Sequence, residues 1–242
     1  AVAAVIEDTH RQAEDQTRQS AIFAWSQALV IESAALAQQR GAPQVQVADV
    51  QAAMLARLQR HDHAELRLQE AIAEGDRLLD VTGQSLGQIN GLTVVDLGDH
   101  CFGLPVRVTA RTHAGEEGLL NIEREVEMSG PIHDKGVLIL HSYLSSLFAH
   151  IAPLAMNAAV VFEQEYSGVE GDSASCAELF ALLSSLAGVP LAQGIAVTGA
   201  LNQRGEMLPV GGINEKIEGY FRSCQQLGLD PAVILAPDPY LT

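Results

Sequence analysis

Ser173 lies in the run Gly168-Val169-Glu170-Gly171-Asp172-Ser173-Ala174-Ser175, between a predicted strand ending near Glu165 and a predicted helix. The first N–H groups of a helix lack intrahelical partners and together carry about half a positive charge. Such groups can hold the oxyanion of an acyl transfer, with the serine hydroxyl as nucleophile. Capping is the plainer role, because Asp172 or Ser173 could satisfy the same N–H groups. A second glycine-marked helix start is Leu208-Pro209-Val210-Gly211-Gly212-Ile213-Asn214-Glu215-Lys216-Ile217. Lys216 falls in the first turn, where the helix dipole opposes a cation. That field and apolar burial both lower a lysine pKa, and a neutral lysine can take a serine proton. A solvated lysine whose stem covers Ile213 or Ile217 is the plainer alternative here.

The other chemistry-bearing residues carry weaker signals. Eight histidines include no His-Glu-x-x-His. His61-Asp62-His63, at i and i+2 on a predicted helix, directs its two rings apart. No phosphate loop of the Gly-x-x-x-x-Gly-Lys-Ser/Thr type occurs. Glu163, Glu165, Glu170 and Asp172 crowd ahead of Ser173 but lack the spacing of a calcium loop. Cys176, one turn beyond Ser173, reads as a core residue. No cofactor or metal site is therefore expected in this chain. Only Lys135 and Lys216 are lysines among 14 basic residues, so they are the only candidates for a lysine base. Lys135 sits in Ile132-His133-Asp134-Lys135-Gly136, which reads as a polar, solvated turn.

The elements that must position these residues divide the chain in two. Residues 1–82 read as helical, with a stripe of Ile22, Trp25, Leu29 and Leu36. Arg40-Gly41-Ala42-Pro43 ends that helix, and Asp49 caps or opens a second run through Leu58, Leu66 and Ile72. Residues 83–242 mix strands and helices. Strands are predicted at 89–95, 104–110, 119–127, 158–163, 195–198, 206–210 and 233–235, and helices at 135–150, 173–186 and 213–227. Without strict alternation, the class is α/β or α+β.

Composition narrows the function. Thirty acidic against 14 basic residues give a net charge of −16, which repels nucleic acid and anionic membranes. Residues 1–80 hold seven basic and 12 acidic side chains, so −5 falls there and −11 in the remainder. No apolar run is long enough to span a bilayer. Three widely spaced cysteines and no signal peptide layout suit a reducing, cytoplasmic compartment.

Together the two motifs resemble the proteolytic domain of Lon proteases, over roughly residues 85–242. Glu170-Gly171-Asp172-Ser173-Ala174-Ser175 looks like the nucleophile motif of the archaeal-type, or B-type, branch; the other branch has Pro where Asp172 stands. Val197-Thr198-Gly199, Arg204-Gly205, Leu208 to Gly212 and Glu215-Lys216 follow in the family's order. The 43-residue interval from Ser173 to Lys216 also matches. Residues 1–82 resemble, less specifically, the end of an AAA+ lid domain, with Val45-Gln46-Val47-Ala48-Asp49-Val50 the strongest part.

This resemblance implies a Lon fold similar to the second domain of a small-subunit ribosomal protein. It implies Ser173 as nucleophile and Lys216 as general base. It implies Thr198 as a residue that holds the lysine, and Glu170 and Asp172 as acidic neighbours that contact Lys216 and order or mask the site. It further implies hydrolysis of unfolded or damaged polypeptides and a homohexameric ring. ATP and magnesium are expected only for an upstream ATPase module, whose motifs this chain lacks. A truncated chain is the expectation, since it begins within a helix and without Met. The segment from Gly130 to Tyr143 departs from the usual bacterial sequence where the family borders its substrate groove. The alternatives are an inactive or regulatory ring-forming module, a nucleic-acid-binding module on the same fold, and a small-molecule kinase on a related one.

Overall fold

A computed structural model describes residues 1–115, 118–150, 156–229 and 233–237. They form two compact units, one of residues 1–66 with 98–100, the other of residues 67–97 with those from 101 onward.

The first unit is helical: α1 (Val2–Gln12), α2 (Phe23–Gln39), α3 (Val47–His61) and the start of α4 (His63–Glu74). Its core joins Leu29 of α2 to Val50 and Ala53 of α3. On α2 the buried residues are Leu29, Ser33 and Ala37, at i, i+4 and i+8. Ile22 of the predicted stripe stands just ahead of the helix and is 58% exposed. Asp49 lies at the third position of α3 rather than at its cap. Gln46 is the cap, and its N–H donates to the Asp49 carboxylate at 2.8 Å. Arg40 grips the same carboxylate with two bonds of 3.1 and 2.6 Å. The predicted second run breaks at Asp62, so His61 closes α3 and His63 opens α4.

The second unit takes over within α4. Leu68, Ile72 and Leu79 pack there with Phe102 and Leu104. Its strands are β1 (Gln84–Ser85), β2 (Gln88–Asp96), β3 (Cys101–Ala114), β4 (Gly118–Asn121), β5 (Met156–Phe162), β6 (Leu191–Ala192), β7 (Ala196–Val197), β8 (Ala200–Leu201), β9 (Met207–Leu208) and β10 (Ile234–Leu235). Its helices are α5 (Ile122–Glu125), α6 (Pro131–Phe148), α7 (Ser175–Ala187) and α8 (Ile213–Gln226). Six strands form a mixed sheet in the order β10-β7-β2-β3-β5-β4, and β1–β6 and β8–β9 make two small ribbons. This is a mixed α/β architecture, as the sequence predicts.

Two predicted elements differ. The strand predicted over 119–127 stops at Asn121, whose side chain accepts the Arg124 N–H at 2.9 Å and turns the chain into α5. The predicted polar turn at 132–136 is the opening of α6, because Gly130 caps that helix and Pro131 fits its first position. Lys135 is nonetheless exposed.

Alternation along β3 sorts its neighbours. Val106, Val108 and Ala110 join a core with Leu140 and Leu144 of α6 and Ala177, Ala181 and Leu182 of α7. Gly103, at an odd position, meets the backbone of α8 instead. There Tyr220 and Cys224 pack with Leu92 and Ala196. No helix among the described residues is long and apolar enough to cross a membrane.

Candidate functional site

The segment from Glu163 to Ala174 carries the chain from β5 to α7. Gly168 and Gly171 take φ of +94° and +84°, a left-handed conformation that L side chains resist. The segment is held at its middle by a short bridge, in which Val169 N–H donates to Met128 at 2.8 Å and Gly130 N–H to Val169 at 2.8 Å. Glu170 folds its carboxylate over Gly130, where a Cβ would overlap it, and also accepts the Gly171 N–H at 3.0 Å. Asp172 uses its carbonyl to accept both the N–H (3.1 Å) and the hydroxyl (2.9 Å) of Ser175.

Ser173 comes two residues before α7, half-buried. Its carbonyl accepts the Gly199 N–H at 2.8 Å and the Thr198 hydroxyl at 3.3 Å. Gly199 then accepts the Cys176 N–H at 3.1 Å, so the 198–199 segment grips both sides of Ser173–Cys176. Thr198 is fully buried, and its own N–H donates to Leu235 at 3.0 Å. Thr198 and Ser173 are thus in direct contact. Ser173 and Glu170 line a cavity of about 490 Å3 together with Val94, Val95, Leu104 and Phe162.

Lys216 is 3% exposed on α8. Gly212 caps this helix with φ +66° and accepts the Lys216 N–H at 3.0 Å. Two close approaches fix the helix on the sheet. A Cβ on Gly103 would overlap the Glu215 carbonyl and crowd Lys216 Cα at 2.6 Å; one on Gly219 would overlap the Gly103 carbonyl. A Cβ on Gly212 would lie 2.7 Å from Val94, and Val94 pairs with Gly103 across β2 and β3. The first turn of α8, with Lys216, therefore lies against the strand pair whose Val94 lines the Ser173 cavity. Gly103 and Gly219 went unremarked in the sequence, although a glycine inside a strand and another inside a helix signal close backbone approach.

The acids ahead of Ser173 are separately engaged. Glu163 accepts the Thr109 hydroxyl at 2.8 Å, and Glu165 pairs with Arg77 at 3.2 Å. Among the described residues no group of three or more His, Cys, Asp or Glu could hold a metal ion.

Sequence reading also missed a buried polar cluster beneath this segment. His133 Nε2 of α6 lies 3.3 Å from Asn121 Nδ2 and 3.8 Å from the carboxylate of Glu178 on α7. Glu123 of α5 accepts the Phe162 N–H at 2.6 Å. Burial pushes Glu178 up to about 8, with the nearby Glu123 charge adding to it. Burial lowers His133, against the opposing pull of Asp134, a bond to the Gly171 backbone and Glu170. Glu178 lies far in sequence from Asn121, Glu123 and His133, and no periodic signal marks the group.

Comparison with known proteins finds two matching family models. Residues 1–60 match the family model described as archaeal LonB, AAA+ ATPase LID domain. Residues 166–230 match that of the Lon protease (S16) C-terminal proteolytic domain. A putative Lon protease homolog of Escherichia coli (strain K12) is 45% identical over 162 residues, covering 66% of this chain and 28% of that protein. One from Haemophilus influenzae is 42% identical over 153 residues, covering 62% and 26%. An archaeal Lon protease of Archaeoglobus fulgidus is 32% identical over 161 residues, covering 65% and 24%. The chain thus spans about a quarter of the length of the curated relatives it matches.

Proposed function

This chain belongs to the Lon protease family, and from that premise we propose that it is a serine endopeptidase with a Ser173–Lys216 dyad. Lys216 takes the hydroxyl proton as Ser173 Oγ attacks a peptide carbonyl. The tetrahedral oxyanion rests on backbone N–H groups at the start of α7. The Ser175 and Cys176 amides already donate to Asp172 and Gly199, so this role falls to those of Ser173 and Ala174. Collapse gives the leaving amine the proton from Lys216 and leaves an acyl-serine. Water, deprotonated by the same lysine, releases the acid.

The observation that carries this reading is the pairing of two fixed backbones. Thr198 and Gly199 clasp the Ser173 carbonyl, while Gly103 and Gly219 let α8 seat a buried Lys216 against the strand pair whose Val94 lines the Ser173 cavity. Thr198 spends its hydroxyl proton on Ser173 and keeps lone pairs with which to receive Lys216. Glu170 and Asp172 order the nucleophile segment through the bonds described above. The domain assignment is a helical lid segment at 1–82 and a peptidase domain at 83–242, in a longer protein whose ATPase module delivers unfolded polypeptides to a cytoplasmic homohexamer.

The test is cleavage of a fluorogenic peptide or casein by the wild type and by Ser173→Ala and Lys216→Ala. Loss of one reactive group in a dyad is expected to lower kcat at least about 1000-fold. Wild-type turnover in either variant sinks the dyad.

A further inference from the structure

The segment that carries Ser173 is held from a third side. Immediately after β5, Gln164 adopts φ +57°, a left-handed conformation that is uncommon for a residue with a long side chain. Its side chain reaches the chain leaving α4. Gln164 Oε1 accepts the Leu78 N–H at 2.7 Å, and Gln164 Nε2 donates to the Asp76 carbonyl at 2.8 Å. Between those two residues, Arg77 pairs with Glu165 at 3.2 Å, both side chains about one-sixth exposed. The second Glu165 oxygen accepts the Ser167 N–H at 3.1 Å, and the Ser167 hydroxyl as well. Residues 76–78 and 164–165 thus form one continuous clasp, bridging 86–88 positions of sequence. Arg77, Gln164 and Glu165 line the same cavity as Ser173.

We propose that Gln164 and the Arg77–Glu165 pair are positioning residues that fix the 165–173 segment for attack by Ser173, and that the chain leaving α4 controls catalysis through them. The proposal rests on the Ser173 assignment above. The strain at Gln164 is held by two bonds to a backbone that belongs to another part of the chain. Releasing either side frees both. The chain first passes from the first unit to the second within α4, and residues 76–78 follow that helix before any strand of the sheet. The other supports of the segment, from Met128, Gly130, Thr198 and Gly199, lie nearer to Ser173. The clasp therefore tunes the segment instead of holding up the fold.

The test uses the whole chain with Gln164→Gly, Arg77→Ala and Arg77→Lys. Glycine keeps the left-handed backbone without strain and deletes both side-chain bonds. In Gln164→Gly, hydrogen exchange over residues 163–173 is expected to quicken about tenfold, with exchange in α7 and β3 unchanged. Arg77→Ala gives a smaller increase, and Arg77→Lys, which keeps the charge, stays close to wild type. In peptide cleavage, Gln164→Gly lowers kcat about tenfold with KM within about twofold, the pattern of a misplaced nucleophile. Wild-type exchange over 163–173 in both Gln164→Gly and Arg77→Ala overturns the clasp. Exchange raised throughout the chain also overturns it, since the residues are then merely structural. Faster local exchange with unchanged kcat overturns the control of catalysis. Cleavage that survives Ser173→Ala would instead defeat the nucleophile assignment, and the exchange rates still decide the clasp.

Discussion

Glu178 shows how far burial can move one side chain from its ordinary chemistry. It is 1% exposed, and neither carboxylate oxygen has a hydrogen-bond partner among the described residues. Ionisation there is costly, so the carboxyl titrates at about 8 instead of 4.5. A folded-state value above the unfolded one means that the native state binds more protons across that interval. Its contribution to stability is complete below pH 4.5 and is lost as pH rises through about 8. His133 slopes the other way: burial holds it below 6.5, so its contribution is present above that pH and fades on acidification. Glu178→Met has similar volume and no unpaired oxygens, and neutral-to-alkaline stability is expected to rise on making it. Thermal midpoints measured from pH 5 to 8.5 should fall more steeply in the wild type than in the variant. Equal slopes would show that Glu178 does not titrate in this window. Nothing in the local sequence reveals this group, because Glu178 follows Ser173-Ala174-Ser175-Cys176-Ala177 as an ordinary polar position of a helix. Ser173 was legible for the opposite reason: its flanking glycines and following helix are local.

The helix α8 and the strand β3 were both legible as elements, but the register between them was not. The start of α8 is marked by Gly211-Gly212, so Lys216 could be placed near an N-terminus from sequence. That Gly103 and Gly219 interlock is a long-range fact, and propensity carries no information about it. The misread segments share this character. Residues 122–125 have β-forming Ile122, yet the Asn121 side chain caps a short helix; residues 132–136 read as a polar turn, yet Gly130 and Pro131 begin α6 ahead of them. The interlock makes a specific demand on geometry. Gly103→Ala places a methyl group against the Glu215 carbonyl, and backbone cannot yield as a side-chain tip can. Overpacking of this kind costs roughly 1–3 kcal/mol, or about 2–10 °C in thermal midpoint for a domain of this size. Since α8 must retreat to make room, Lys216 retreats with it, and kcat should fall about 10- to 100-fold. Peptide kinetics and calorimetry on the same preparation separate the effects. A stability loss with unchanged kcat would show that the helix can shift without moving its lysine away from the site.

Charge acts on the whole molecule rather than at any one pair. The net −16 is borne unevenly, with −11 in residues 81–242, which include Ser173, Lys216 and most of the cavity lining. Acidic residues also crowd the approach to Ser173, through Glu163, Glu165, Glu170 and Asp172. Glu165 is neutralised locally by Arg77. A surface with one prevailing sign raises the local concentration of oppositely charged chains and speeds their capture. An unfolded polypeptide presents its charge along its whole length instead of folding it away. Basic or neutral unfolded substrates should therefore be cleaved with higher kcat/KM than acidic ones of equal length, by roughly tenfold at low salt. Screening confines this preference: at about 0.15 M salt the Debye length is near 8 Å, and the ratio should contract toward unity. The effect should fall on KM, as capture precedes chemistry, whereas the changes at Gln164 and Gly103 fall on kcat. Two reduced, unfolded polypeptides of matched length and opposite charge, assayed across a salt series, provide the measurement. Identical kcat/KM values at low salt would show that the acidic field does not reach the path of the substrate, and that selection rests on the cavity walls formed by Val94, Leu104 and Phe162.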